Sequence, residues 1–195
     1  MRPSTYLEPS LRDLILPLFD DQLSMNPASF YHHCPRCGVR QLAPPTGHVF
    51  NCPGCGFRLY FSAAGAVAVF IGRPDGRMLF IIRGKDPGRG KLAPPGGFID
   101  LGETAEVAAQ REVREEVGLE LQDLRFLCSQ PNSYLYCGVT YPVLDLFFTA
   151  TVAADTEAIP LDAVTAVRWL DPGSLDPEEL AFTSMQKAFR RLITG

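Results

Sequence analysis

The sequence predicts an α/β fold: a mixed sheet with helices packed against it, preceded by a small ribbon held by cysteines. Two C-x-x-C pairs stand ahead of the first strand pattern. Behind them, short runs rich in Val, Ile and Phe alternate with stretches of helical composition, and Gly and Pro punctuate the junctions. The chain has 195 residues, 46% of them hydrophobic, enough for one full core beside the ribbon. The expected organisation is an N-terminal helical segment over 1–30, the ribbon over 31–61 and the main α/β domain over 62–195.

The elements follow in order. Leu7, Leu11, Leu14, Ile15 and Leu18 recur at helical spacing after Pro9-Ser10, predicting a short helix interrupted near Pro17. Residues 66–71 and 78–82 read as a hairpin, because Arg73-Pro74-Asp75-Gly76 between them is turn chemistry. A loop rich in Gly, Lys and Arg (84–91), a Pro-Pro-Gly-Gly turn (94–97) and a helix over 104–117 come next. Further strands are expected over 124–129, 143–152 and 163–170. Pro177 is expected to open a final helix, with Leu180, Met185, Phe189 and Leu192 among its apolar positions.

Composition narrows the class. The longest apolar run, 63–71, is too short to cross a membrane. The residues after Met1 are broken by charges and Pro17, unlike the apolar stretch of a secretion signal. With a net charge of −4 and a pI near 5.4, a cytoplasmic enzyme that contacts no membrane is expected. Cys128 and Cys137 are then expected to be ordinary buried thiols.

Cys34-Pro35-Arg36-Cys37 and Cys52-Pro53-Gly54-Cys55 are two knuckles separated by fourteen residues, each followed by a glycine, Gly38 or Gly56. Each knuckle can present two thiolates to one tetrahedral Zn²⁺, and the trailing glycine opens the turn so that backbone N–H groups reach sulfur. Disulfides or a redox pair are the rival readings; two knuckles at ribbon spacing favour zinc. Cys34, Cys37, Cys52 and Cys55 complete the shell, which leaves His32, His33 and His48 as bystanders. About thirty residues cannot bury a self-sufficient core, so the metal's first task is to hold the piece folded. Arg36, Arg40 and Arg58 lie among Tyr31, Phe50, Phe57, Tyr60 and Phe61, a mixture that nucleic acid would also use. The acidic balance of the chain favours structural support or a subunit contact, such as a homodimer, over nucleic acid. The aromatics are expected to pack the ribbon onto its neighbour.

The densest signal lies over 97–119. Gly97 is followed after five residues by Glu103, and after seven more by Arg111-Glu112-Val113-Arg114-Glu115-Glu116-Val117-Gly118-Leu119. Residues 104–117 are good helix formers; Thr104 can cap the start and Gly118 can end the helix in a left-handed turn. At about 100° per residue, Glu112, Glu115 and Glu116 share an arc of roughly 100° on one face. Three crowded carboxylates repel one another unless a cation sits among them. A hard divalent ion, Mg²⁺ or Mn²⁺, takes oxygen ligands and shares them with phosphates. Acidic helix faces are usually only solvated. The preceding Pro94-Pro95-Gly96-Gly97 changes that balance, because its glycines let backbone carbonyls approach a metal or phosphate.

With nine specified positions at fixed offsets, this segment resembles the Nudix box, the signature of enzymes that hydrolyse a diphosphate linked to another moiety. The resemblance implies an α/β/α sandwich from about residue 63 onward. It implies that Glu112, Glu115 and Glu116 coordinate the metal, with the carbonyl of Gly96 or Gly97 as a backbone ligand. Arg111 and Glu103 resemble the pair that holds loop and helix in register. The general base varies within the family; Asp155, Glu157, Glu178 and Glu179 are unranked candidates.

A ribbon directly ahead of such a domain is similar to the zinc-ribbon branch of the family, which includes NADH pyrophosphatases and enzymes that decap RNA. Their motif begins Ser-Gln-Pro and continues Trp-Pro-Phe-Pro. This chain has Ser129-Gln130-Pro131, then Asn132-Ser133-Tyr134-Leu135-Tyr136, so the stacking platform is missing unless Tyr134 or Tyr136 replaces it. The closer resemblance is to a bacterial group with Pro-Asn-Ser/Thr-Tyr there. Ser129, Gln130, Asn132 and Tyr134 are the candidates for the non-phosphate half of a small nucleotide substrate, ADP-ribose or a dinucleotide such as NADH. Arg83, Lys85, Arg89 and Lys91 are the candidates for the phosphates. Phe182-Thr183-Ser184 resembles a segment near the substrate in related enzymes, with core packing by Phe182 as the alternative. Two other readings stand beside hydrolysis of a small nucleotide. One is a regulatory module that binds a nucleotide metabolite; the other is an NAD-cap hydrolase whose ribbon contacts RNA.

Overall fold

The computed structural model describes residues 30–40 and 49–194; the expected N-terminal helix and His48 lie outside them. The ribbon contributes a two-stranded antiparallel sheet, β1 (Val49–Asn51) and β2 (Arg58–Tyr60). Four of its five expected aromatics face inward. Phe50 is fully buried, with Tyr31, Phe57, Leu59 and Phe61 packed around it and the two buried cysteines. The Tyr31–Phe61 centroids lie 5.1 Å apart and the Tyr31–Phe50 centroids 6.1 Å apart. A piece this small needs most of its aromatics to close its own core, although Tyr60 stays exposed.

The main domain is a six-stranded mixed sheet. Its strands are β3 (Ala64–Gly72), β4 (Met78–Arg83), β5 (Leu92–Ala93), β6 (Gln122–Tyr136), β7 (Val139–Thr151) and β8 (Val164–Leu170). The order is β5-β4-β3-β7-β6, with β8 also pairing to β4. β3 and β7 run parallel in register from Ala64↔Val143 to Gly72↔Thr151; the other pairs are antiparallel. Residues 67–71 are all buried, as a central strand covered on both faces requires. The expected β3–β4 hairpin exists, but it pairs only at Ile71↔Leu79 and Gly72↔Met78 before β4 turns to β8.

Two helices pack on this sheet. α1 (Ala105–Val117) starts at Thr104, whose side chain accepts from the Val107 N–H, and stops at Gly118 in the left-handed conformation. It buries Ala108, Ala109, Val113 and Val117. α2 (Thr183–Thr194) buries Met185, Ala188 and Phe189. The Phe189 ring lies 5.8 Å from both Phe70 and Phe80, joining helix to sheet.

Three local expectations need correction. The sequence pattern places strands at 124–129 and 143–152, yet β6 and β7 form one long hairpin turning at Cys137 and Gly138. Both turn residues have positive φ, 49° and 78°, as a two-residue hairpin turn demands. Pro131 obscures the strand pattern, but β6 is an edge strand, where a missing N–H is tolerated. Cys137 is exposed because it occupies that turn, whereas Cys128 is buried. Pro177 opens only a 3₁₀ turn (Pro177–Glu179) capped by Asp176. Leu180 then bridges Leu92 in extended form before α2 begins at Thr183. No helix among the described residues is long and apolar enough to cross a membrane.

Candidate active site and cysteine centre

The loop 94–98 and α1 meet at one end of the sheet. Val67 N–H donates to the Gly97 carbonyl at 2.8 Å and Val69 N–H to the Pro95 carbonyl at 2.9 Å, so the loop is pinned to β3. Gly96 has φ +152°, and a Cβ there would lie 2.1 Å from the Val67 carbonyl oxygen; only glycine fits. A Cβ on Gly97 would lie 2.6 Å from the Glu112 carboxylate. That carboxylate therefore occupies the space the absent side chain leaves.

Arg111 ties the parts together. Its guanidinium donates to Glu103 through Nε at 2.8 Å and Nη2 at 2.9 Å, a bidentate pair. It also donates to the Phe98 carbonyl at 3.0 Å, to Glu112 at 2.8 Å and to Glu115 at 3.2 Å. These bonds hold Glu103 down at about 2. Glu116 behaves oppositely. Recessed into the wall, it accepts one hydrogen bond, from Gly96 N–H at 2.8 Å, and burial pushes its carboxyl up to about 8. Burial also raises Glu112, against the pull of Arg111. Two carboxylates set in a poorly solvated wall, with few donors for their oxygens, suit a bound cation. Glu115 is more open, its side chain 54% exposed.

Glu112, Glu116, Gly96 and Gly97 line a cavity of about 610 Å³, a volume that takes a nucleotide-sized ligand. Arg83 and Lys85 line it as well. Arg83 donates through Nε to the Pro87 carbonyl at 2.9 Å and stacks 5.0 Å over Phe182. Asn132, Tyr134 and Tyr136 form part of the wall. Tyr134 stands edge-on to Phe98 at 5.5 Å and lies 5.9 Å from Phe182, an aromatic wall assembled from three separate segments. Phe182 thus faces the cavity rather than only the core.

Other candidates lie elsewhere. Lys91 and Arg89 are exposed and off the cavity wall. Ser129 is exposed, and Gln130 stands opposite Asp145 in the β6–β7 register without lining the cavity. Ser133 turns to a shallower neighbouring groove with Pro131 and Thr183. Asp155, Glu157, Glu178 and Glu179 are off the wall, and Glu178 is paired with Arg190. Asp145 lines the cavity, though sequence reasoning passed over it. Its signal was available: a lone acid inside the apolar run Val143-Leu144-Asp145-Leu146-Phe147-Phe148.

In the ribbon, the sulfur atoms of Cys34, Cys37, Cys52 and Cys55 lie within 4.8 Å of one another. Cys34 Sγ to Cys55 Sγ is 3.8 Å and Cys37 Sγ to Cys52 Sγ is 3.6 Å. A tetrahedron with Zn–S bonds of about 2.3 Å has edges of about 3.8 Å, so the cluster has the size zinc requires. Gly38 N–H donates to the Cys34 carbonyl and Gly56 N–H to the Cys52 carbonyl, closing both knuckles alike.

Comparison with known proteins bears on both sites. The NUDIX domain family model matches residues 63–192. An ADP-ribose pyrophosphatase of Methanocaldococcus jannaschii is 46% identical over 78 residues, 39% of this chain and 46% of that protein. An NAD-capped RNA hydrolase NudC of Deinococcus radiodurans is 29% identical over 160 residues, 80% of this chain and 55% of that protein. The chain spans about half the length of these curated relatives. Among solved structures, a MutT NUDIX hydrolase from Burkholderia pseudomallei superposes with a TM-score of 0.56 at 25% identity, covering 67% of this chain and 98% of that one.

Proposed function

Because the chain belongs to the NUDIX domain family, we propose that it hydrolyses the diphosphate bond of a nucleoside diphosphate linked to a second moiety, ADP-ribose or a dinucleotide such as NADH. The observation that carries this reading is the recessed Glu112–Glu116 pair beside the Gly96-Gly97 loop, opening on a cavity of about 610 Å³. Glu112, Glu115 and Glu116, with the Gly97 carbonyl, are the residues that would hold Mg²⁺ or Mn²⁺. Such an ion, when bound, neutralises the bridging phosphates and acidifies the attacking water. Arg111, clamped by Glu103, keeps loop and helix aligned so that these oxygens converge. Arg83 and Lys85 face the phosphates, and Asn132 and Tyr134 the remaining moiety. In the division proposed, 31–61 is a ribbon that zinc at Cys34, Cys37, Cys52 and Cys55 keeps folded, and 62–195 carries the chemistry.

One observation favours a second substrate. The match to the Deinococcus radiodurans relative covers 80% of this chain, and the ribbon exposes Arg36, Arg40, Arg58 and Tyr60. NAD-capped RNA is therefore the second reading, ahead of a regulatory module, for which intact neighbouring acids would be a cost without use. Purified protein with Mg²⁺ should be tested on ADP-ribose, NADH, NAD, diadenosine polyphosphates, the common triphosphates and NAD-capped RNA. The expected result is a higher kcat/KM for an ADP-linked compound than for any triphosphate. A triphosphate at the top of the ranking refutes the substrate class.

A further inference from the structure

Asp145 and Ser184 are the two buried polar residues among those described, 6% and 1% exposed, and they are bonded to each other. Ser184 Oγ donates to Asp145 Oδ2 at 2.5 Å; burial raises the Asp145 carboxyl, and Ser184 and the nearby Asn132 side chain partly offset that. No ion pair among the described residues includes Asp145. Stability alone gives little reason to keep such a group, since an apolar pair of the same shape costs less than a buried carboxyl without a cation. A carboxylate offers about four acceptor positions. Ser184 uses only part of that capacity, and Asp145 lies on the cavity wall with Asn132.

Its position relative to the phosphate side is fixed by the sheet. Asp145 pairs across to Ala66, and Ala66 bridges Phe98 next to Gly96-Gly97. Two strand spacings, roughly 10 Å, separate it from the loop. A ligand whose diphosphate lies at that loop brings its next moiety to Asp145, along the Phe98–Tyr134–Phe182 wall. Neither Arg83 nor Lys85 is paired with Asp145: Arg83 bonds Pro87 and stacks on Phe182, and Lys85 is 3.6 Å from Asp162. An anionic group placed at Asp145 would be repelled, whereas a neutral donor would complete its hydrogen bonds.

We propose that Asp145, supported by Asn132 and Ser184, is a specificity residue that selects neutral hydrogen-bond donors on the non-phosphate half of the substrate. Those donors are ribose hydroxyls or a purine amino group. This rests on the reading that the chain cleaves nucleoside diphosphate compounds. It deepens that reading by naming which atoms decide between them.

The test compares kcat/KM for the compound the wild-type protein cleaves fastest with two analogues, in wild type and in Asp145→Asn. One analogue carries hypoxanthine in place of adenine; the other lacks the ribose hydroxyls. Wild type should lose about ten- to a hundredfold on one analogue, the range of a hydrogen bond to a charged group. Loss on the hypoxanthine compound assigns the amine, and loss on the deoxy compound assigns the hydroxyls. In Asp145→Asn the amide oxygen stays with Ser184 and the NH₂ faces the cavity. Discrimination should then vanish, and for the amine it should invert toward the hypoxanthine carbonyl. Equal rates on parent and both analogues in wild type overturn the proposal without any variant. An unchanged ratio in a folded Asp145→Asn overturns it as well. If the fastest compound is a triphosphate, the substrate class fails, yet the same ratios on its own base and sugar still decide Asp145.

Discussion

Replacing Glu116 by glutamine should stabilise the magnesium-free protein and disable the enzyme at the same time. In the fold this carboxyl is held near 8 by burial, against 4.5 in a free chain. Without metal at pH 7, the folded protein keeps a proton that the unfolded chain releases, at a cost of about 3 kcal/mol. Because the folded value is raised, this penalty is absent below pH 4.5, grows as pH rises and is complete above pH 8. Glutamine carries no such penalty, and its amide oxygen can still accept from Gly96 N–H. For a chain of this size, about 3 kcal/mol corresponds to roughly 6–12 °C in Tm. Melts of the zinc-loaded protein in magnesium-free buffer should therefore show wild type losing more stability than E116Q between pH 5 and 8. Adding Mg²⁺ should reverse the order, since the metal binds the ionised carboxylate only in wild type. Turnover of E116Q should fall about a hundredfold or more. Parallel pH profiles for the two magnesium-free proteins, or full activity in E116Q, would refute the reasoning.

Three further outcomes are expected. Metal analysis should find about one Zn²⁺ per chain, absent when Cys34 and Cys52 are both serine, and zinc retained by that double variant would refute the ligand set. Gly97→Ala should fold but lose turnover, because the new Cβ displaces the Glu112 carboxylate 2.6 Å away; Gly96→Ala should instead unfold readily, because the clash is with the Val67 backbone. Comparing melts with rates separates the two, and normal activity in both would mean the loop does not set the site. Arg111→Lys should lower kcat about ten- to a hundredfold, since one ammonium cannot reproduce a fork that reaches Glu103, Glu112 and the Phe98 carbonyl. Wild-type kcat in that variant would contradict the alignment role.

The sequence alone placed the α1 caps, the acidic helix face and the cysteine knuckles, each encoded within a turn or two of chain. Thr104 and Gly118 bound α1 because capping depends on backbone groups only a few residues away. The spacing of Glu112, Glu115 and Glu116 follows from helical geometry, and the knuckles of the ribbon from the short C-x-x-C loop. Pairing between distant segments was not legible. The parallel β3–β7 ladder joins Ala64 to Val143, and nothing local distinguishes that partner from another apolar strand. The β6–β7 hairpin was hidden by Pro131, whose tolerance depends on β6 lying at the edge, a property of the whole sheet.

The candidate site divides the same way. Its metal-facing half sits on one loop and one helix, so the sequence displays it as a single motif. Its other half is assembled from Phe98, Asn132, Tyr134, Asp145, Phe182 and Ser184, residues from four stretches of chain that only the tertiary fold brings together. Composition suggested that the ribbon aromatics face a neighbour; Tyr31, Phe50, Phe57 and Phe61 pack together in a small core, and Tyr60 alone of that set stays exposed. Apolarity in a sequence says that a side chain will be buried. Which surface buries it depends on how the apolar groups of the whole chain can be covered together, and that is decided only in three dimensions.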